Sequence, residues 1–407
     1  MKIKMKRLLL FSLFFFVTTF MPLFFAWSAE FGAVLKGEFD AAGADETKPG
    51  GSIILAPWIL FPFEKAELYI SAGFNAKIAD KSYFAPELFQ LYFFMPALPG
   101  KTALSFKVGR FAWQDATGFI AKGSFDGADI LFTLGKINLG VNALYTGFLF
   151  KDSAEINVSP TDKKDYSANF KWSEFQDTYS APRRLLTSLY GEFPGFPLGR
   201  GRSYAGFIAQ FDLCGATERF STQYLLLRHI FSVKTFDLNV SGALEFENTK
   251  ADGVRPAFAF SLEGGYQLPT AIADRLSLGL SWSSGETSGT GAFFPVTKEA
   301  RSFVLKPVLC GMMIINANYH ARFIPSLSME LGGSYFIRTD VTSFTAPSLN
   351  DDAYPLGLEL NASVLWVPLS DLSFSFKGGA FLPQTGSAWT DNAPVLWRIT
   401  LGTVFSF

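Results

Sequence analysis

From about residue 30 onward the apolar positions of this chain fall two apart. Leu276, Leu278, Leu280 and Trp282 alternate with Ser277, Gly279, Ser281 and Ser283, and Phe258, Phe260, Leu262, Tyr266 and Leu268 with Ala259, Ser261, Glu263, Gly265 and Gln267. Phe236, Leu238, Val240, Leu244 and Phe246 interleave with Asp237, Asn239, Ser241 and Glu245, and Leu356, Leu358, Leu360, Val364 and Trp366 with Gly357, Glu359, Asn361 and Ser363. A period of two sends successive side chains to opposite faces of a strand, one apolar and one polar. Soluble sandwiches alternate too, but their strands average about five or six residues, whereas these segments run longer and fill almost the whole chain. Their apolar faces often end in aromatic residues (Phe231, Phe236, Tyr266, Trp282, Trp366, Trp397), as girdles at two membrane interfaces do. The pattern predicts an all-β fold: a single closed antiparallel transmembrane barrel.

Segmentation predicts eighteen strands, from 30–39 to 395–407, with 16 or 20 as alternatives. The connections alternate in length. Those at 40–51, 114–124, 151–183, 285–300, 339–355 and 383–394 are long and polar; those at 135–136, 232–234, 324–326 and 368–371 are short. Exceptions are 194–201, 79–83 and 214–218. Long loops on one side and tight turns on the other, with an even strand count, place both termini on the turn side. The segment 301–323 strains the scheme, being long for one strand and carrying Pro307. Closure has a physical reason, because in hydrocarbon only a sheet without edges pairs all its backbone groups.

The N-terminus reads as an address. Met1 to Arg7 is basic, Leu8 to Phe25 is apolar, and Ala26-Trp27-Ser28 offers small residues for cleavage before Ala29. A signal peptide at 1–28 and a barrel at 29–407 follow, with 151–183 as the long extracellular loop. Strand 1 then starts almost at the cleavage site, which leaves no room for an N-terminal plug. The composition agrees: 49% hydrophobic and 16% aromatic with only 17% charged residues, against about 25% charged in ordinary soluble domains. Disorder and nucleic-acid binding are both disfavoured. The formal charge of −1 includes Lys2, Lys4, Lys6 and Arg7; without them 31 basic residues face 36 acidic ones, and the mature chain is mildly acidic.

Charges out of phase with the apolar faces predict the inner wall. Lys36, Lys77, Lys107, Lys377 and Arg398 fall on strands that share one arc, and Glu245, Glu247, Glu263, Glu330 and Glu359 on another. Either a basic wall faces an acidic one across the lumen, or these residues sit at scattered heights and solvate it; charged walls tune pores. About eighteen strands leave an aqueous channel unless something plugs it. The loop 151–183 is the candidate restrictor, if it folds inward. Arg110 is out of phase unless Gly109 makes a bulge, which would re-aim it toward the lumen.

Two stretches carry resemblances. The last strand, Trp397-Arg-Ile-Thr-Leu-Gly-Thr-Val-Phe-Ser-Phe407, resembles the C-terminal strand that outer-membrane barrels present to the barrel-assembly machinery, with Phe405 and Phe407 as its signal. Val108-Gly109-Arg110-Phe111, then Gly118, then Ser124-Phe125-Asp126-Gly127-Ala128-Asp129-Ile130 and the hairpin to Tyr145-Thr146-Gly147, is similar to the alginate-export and related substrate-specific porins. That resemblance covers about forty residues and departs at Phe111, where the family usually has Gln. It implies an 18-stranded porin barrel; with the even strand count, which puts both termini on the periplasmic side, the expected setting is the bacterial outer membrane and the expected partners are its lipid and small hydrophilic solutes.

Other chemistries find less support. Barrel enzymes need a general base, most often His, and only His229 and His320 exist, neither in a recognisable Ser or Asp pattern. Asp126 with Asp129, and Asp351-Asp352, are too sparse for a calcium loop; no metal or cofactor is expected. Cys214 and Cys310 fall on non-adjacent strands, against a disulfide. A surface adhesin built on loops 151–183 and 339–355 stays open, while fatty-acid import would want an apolar lumen and a hatch. The reading is a passive channel; its solute, its radius and its oligomeric state stay open.

Overall fold

The computed structural model describes residues 29–44, 46–79, 82–96, 102–159, 162, 166, 169–196, 201–214, 221–249, 253–346, 349–350, 352–390 and 393–407. The expected signal peptide 1–28, Lys163, Lys164 and Asp165 of the long loop, and Asp351 lie outside the described residues.

Eighteen strands form one antiparallel sheet. They are β1 (Glu30–Gly43), β2 (Thr47–Pro62), β3 (Glu67–Ile78), β4 (Tyr83–Met95), β5 (Thr102–Gln114), β6 (Lys122–Leu134), β7 (Ile137–Tyr145), β8 (Arg184–Pro194) and β9 (Arg202–Asp212). Then come β10 (Ser221–Val233), β11 (Phe236–Thr249), β12 (Gly253–Gln267), β13 (Ala273–Ser283), β14 (Met312–Ile324), β15 (Leu327–Arg338), β16 (Pro355–Leu369), β17 (Leu372–Leu382) and β18 (Leu396–Ser406). Each pairs with its sequence neighbour, and β18 pairs with β1 from Val34↔Ser406 to Gly43↔Trp397, which closes the barrel. The chain end finishes the seam: Phe407 N–H donates to the Ala33 carbonyl (3.0 Å), and Ala33 N–H donates to that of Phe407 (2.7 Å). Among the described residues no helix is long and apolar enough to cross a membrane.

The period-two pattern is the wall. Outward positions of successive strands are apolar and exposed, among them Phe31, Leu35 and Phe39 on β1, Phe258, Phe260 and Leu262 on β12, and Ile399 and Leu401 on β18. An exposed apolar band of this extent is foreign to a soluble surface. The buried apolar residues lie instead on the inner side, where Phe111, Phe125, Leu144, Leu186, Ile208 and Tyr224 meet loop residues such as Ile120, Phe293 and Val296.

Two expectations need correction. The first connection is not a long loop: β1 and β2 stay paired up to Gly43↔Thr47, so 40–51 is mostly strand. The segment 301–323 is not one strand either, since only Met312–Ile324 pairs as β14. Residues 301–311 belong to a connection running from 284 to 311. Pro307 lacks a ladder donor, and the N–H groups of Phe303, Val304 and Leu305 go to the Glu359 carboxylate (2.8, 3.1 and 3.0 Å) instead of a neighbouring strand. The long connections 146–183, 284–311, 339–354 and 383–395 all leave one rim, and the two-residue turns 135–136, 234–235, 325–326 and 370–371 all leave the other.

Candidate functional site: a strapped lumen

The connection 284–311 crosses the inside of the barrel as a strap. On one side Phe294 N–H donates to Glu245 Oε2 (2.8 Å) on the inner face of β11, and the Tyr224 hydroxyl donates to the Phe294 carbonyl (2.6 Å). On the other side Glu359, on the inner face of β16, takes the three N–H groups already described. Between these anchors Val296 and Thr297 donate to the Ile120 carbonyl (2.7 and 3.1 Å), and Arg301 donates to that of Gly118 (2.6 Å). Carboxylates are suited to anchor a strap because each can accept several N–H groups and so satisfy a buried loop backbone.

Two other loops are knitted to it. In 115–121 the Asp115 carboxylate accepts the N–H groups of Thr117, Gly118, Ile120 and Ala121 (2.8, 2.9, 3.0 and 2.9 Å), which winds the loop around one side chain. The loop 146–183 does fold inward over part of its course: Asn157 N–H donates to the Val296 carbonyl (2.8 Å), and Lys298 N–H to that of Glu155 (2.7 Å). Three connections from one rim thus meet within the lumen. Open spaces remain beside them, one of about 310 Å³ reached by Lys36, Tyr69 and Gln90, and one of about 250 Å³ beneath Trp113, Tyr190 and Tyr204.

The expected inner-wall residues fare unequally. Lys36, Lys77, Lys107 and Lys377 occupy inward register positions and form no ion pair among the described residues. Lys107 rests its ammonium on Tyr92, 3.9 Å from the ring centroid, and Lys377 lies 4.8 Å from Phe303 at the strap's tip. Arg398 is inward but neutralised, its Nε 2.7 Å from Asp40 Oδ1 and its Nη2 2.7 Å from Oδ2. Glu245 and Glu359 are the larger correction. Both are inward, but both are fully buried beneath the strap and line no open passage. Glu247 meets Arg255 (3.4 Å) and Glu263 meets Arg275 (3.7 Å). Glu330 stands exposed on the inner face beside His320. The acidic wall is thus largely paired or covered. Sequence reading also missed Lys306 on the strap, whose ammonium is pushed down by burial and then by Arg398, against Asp40, Glu38 and Glu155.

Arg110 is not a free charge in the lumen: it borders the inner space beside Lys36 and Gln90, but its guanidinium is held by Asp126 and two backbone carbonyls. Gly109 does sit at positive φ (121°), and a side chain there would strike the Leu91 carbonyl. No bulge follows, since Gly109 pairs with Tyr92 and Gly127 without a register shift, and Arg110 lies in the wall where β5 parts from β4. Pairing of these two strands runs only from Met95↔Phe106 to Leu91↔Arg110. Arg110 fills the fork. Its Nε and Nη2 each lie 2.8 Å from a carboxylate oxygen of Asp126, Nη1 donates to the Leu88 carbonyl (2.8 Å), and Nη2 also to that of Phe148 (3.0 Å). Register explains the pairing, since Arg110 and Asp126 are directly opposed on β5 and β6.

The remaining chemistry-bearing groups are structural. Ser203 Oγ is 2.9 Å from His229 Nδ1 on the outer wall, but that hydroxyl donates to the Phe196 carbonyl (2.7 Å), and no carboxylate completes a triad among the described residues. Asp162, Asp212 and Cys214 converge as metal ligands might, yet the buried Arg184 guanidinium already sits among them, 2.5 Å from Asp162 and 2.6 Å from Asp212. Both thiols are free. Burial pushes Cys310 up to about 12 and Cys214 up to about 11, which leaves them as inert thiols.

No protein-family model matches this chain, and no curated protein matches it in sequence. Solved structures do match in shape. OprD of Pseudomonas aeruginosa, an outer membrane protein, superposes with a TM-score of 0.59 at 11% identity, over 94% of this chain and 94% of that one. OccK5 (OpdH) of the same organism gives 0.59 at 12% identity, over 93% and 98%. OccK2 (OpdF), solved in complex with glucuronate, gives 0.58 at 10% identity, over 93% and 98%. At such identities the likeness is one of fold: this chain has the 18-stranded barrel architecture of those proteins.

Proposed function

We propose that the protein is a bacterial outer-membrane porin, a water-filled channel through which small hydrophilic solutes or ions diffuse passively, with no cofactor. The supporting observation is the combination of an apolar outer band with a polar, strapped interior in a closed 18-stranded barrel. A barrel of this strand number is wide enough for an aqueous path, and loops folded inward narrow such a path without sealing it. In this reading residues 1–28 are a cleaved signal peptide, the two-residue turns and both termini face the periplasm, and Phe405 and Phe407 serve assembly.

The inner charges support a preference for anions. Lys36, Lys77, Lys107 and Lys377 keep unpaired ammonium groups on the inner face, while most of the acids expected to oppose them are engaged by the strap or by arginines. Rings and walls of one sign bias permeation in this way. Liposome swelling tests the channel: proteoliposomes should admit small sugars and amino acids and exclude large oligosaccharides. Swelling no faster than in protein-free liposomes would overturn the reading and leave a surface-binding barrel. A reversal potential favouring cations would overturn the anion preference alone.

A further inference from the structure

We propose that the loop 146–183 carries a membrane anchor: an aromatic patch on its outer side that seats in the lipid interface at the loop rim. This rests on the barrel being embedded in a bilayer, and a control position on the wall separates the two claims. The patch is Phe148, Trp172 and Phe175, which are 67%, 56% and 39% exposed.

Both flanks of the patch meet the outer wall. On one flank Trp172 Nε1 donates to the Phe84 carbonyl (2.9 Å) near the rim end of β4. The Phe84 ring points outward and stacks on outward Phe74 of β3 (5.0 Å). On the other flank Phe148 sets its ring edge-on to Tyr145 (5.0 Å). Tyr145 shares the parity of exposed Val141 on β7, while Leu144 beside it is buried on the inner side. The apolar band does not stop below these rings. Ile78, 74% exposed, ends β3 one residue past the Lys77↔Tyr83 pair and so stands nearer the rim than Phe84. Between the flanks lies the Arg110–Asp126 pair, tied to the patch through the Phe148 carbonyl (3.0 Å). A charge pair in the wall is costly where lipid reaches it, so a cover of apolar rings has a purpose here.

The local sequence builds the patch. Trp172–Glu174 is a 3-10 turn that runs into one helical turn, Phe175–Thr178. Trp172, Phe175 and Tyr179 fall at i, i+3 and i+7 and share one side. Glu174 and Asp177 fall on the other, and Lys171 turns to Glu174 (3.2 Å). Behind the exposed rings the turn is packed. Phe170 is buried against Trp172, Phe175 and Phe150 (5.6, 5.9 and 5.7 Å), and the Tyr179 hydroxyl donates to the Pro86 carbonyl (3.0 Å). An amphipathic turn with Trp and Phe on its apolar side has the composition of a segment that lies in the membrane interface. Trp suits that layer because its ring is apolar and its N–H is polar. Continuity with the outer band selects lipid as the occupant, and the charged side of the turn is left to face water. The same loop reaches the strap through Asn157 and Val296, so the anchor would pin from the lipid side a loop that narrows the lumen.

Site-directed fluorescence quenching in proteoliposomes tests the anchor. Phe148→Cys and Phe175→Cys each place a nitrobenzoxadiazole label in the patch. Asp177→Cys places one on the polar side of the turn, and Leu360→Cys places one on the outer face of β16. The parent chain, carried through the same labelling, gives the background from Cys214 and Cys310, and circular dichroism verifies folding. One quencher is a phospholipid with a nitroxide near the head of its acyl chain; the other is aqueous iodide. Labels at 148 and 175 should lose fluorescence to the nitroxide as the label at 360 does, and less to iodide than the label at 177. Either patch position suffices where the other variant does not fold. Quenching at 148 and 175 by iodide alone, with 360 quenched by the nitroxide, would overturn the anchor and leave the barrel in its bilayer. The same holds for quenching by neither with cross-linking between two copies, which would place a second chain on the patch. No nitroxide quenching at 360 would overturn the embedding itself.

Discussion

Arg110 shows how far parity carries at the scale of one residue. Gly109 does take a positive φ but makes no bulge, and the fork between β4 and β5, which decides where Arg110 goes, has no sequence mark beyond Pro86. The guanidinium is almost buried, with bidentate contact to Asp126 and two carbonyls at its edge. Breaking one side of such a pair leaves a charge without its partner and costs about 3–5 kcal/mol. Arg110→Gln should therefore lower the urea midpoint of the folded barrel markedly and leave ion selectivity where it was. Lys36→Gln should do the reverse, shifting the reversal potential toward cations with little change in the urea midpoint. A selectivity shift in the Arg110 variant would return that residue to the pore lining. Asp115 carries no mark in the sequence reading: the four amides gathered on its carboxylate depend on how the loop 115–121 closes.

At the scale of elements, strands were readable and loops were not, for one reason. A strand in this wall repeats every two residues because its outer face is apolar and its inner face polar. A loop buried in the lumen is apolar on no fixed period. Residues 301–311 deceive for that reason: Val304, Leu305, Val308 and Leu309 look like strand content because they pack inside the barrel. Glu245 and Glu359 are inward as parity requires, but their cover comes from a segment distant in sequence. The strap's dependence on them is testable. Glu359→Gln keeps the acceptor oxygen but loses the charge, and it should leave the barrel folded while raising open-channel current noise; noise unchanged from the parent would show that the strap holds without that anchor. A pH dependence belongs to the neighbouring loop 339–354. Burial alone would raise the Asp340 carboxyl, but hydrogen bonds from Ser343, Glu286 and Thr342 outweigh it and hold the group below its usual range. The sign follows: this tie is fully present above the unfolded carboxyl's pKa of about 3.9 and is lost as pH falls through the lower folded value. Amide exchange at Glu286, Thr342 and Ser343 should accelerate below that point, and Asp340→Asn should exchange fast at all pH values.

At the scale of the whole molecule, strand number, closure and the division into a loop rim and a turn rim were legible from periodicity and connection length alone. Those features are global sums of local alternation, so small errors in single boundaries do not disturb them. The inner electrostatics were legible only as a list of inward positions. Their effective charge depends on which acids the strap and the arginines occupy, and that is a property of three loops meeting across the barrel. Function follows the same division. The barrel architecture supports a channel, and in the proposed reading the strap sets its width and its charge preference.

The most direct test is single-channel recording in planar bilayers of the refolded mature chain, beside a variant in which residues 298–307 of the strap are replaced by a short glycine-serine link. A strapped pore predicts stable, step-like openings for the parent, anion-selective, and larger steps for the shortened strap. Absence of discrete steps in both proteins, with folding verified, would contradict the account at its centre.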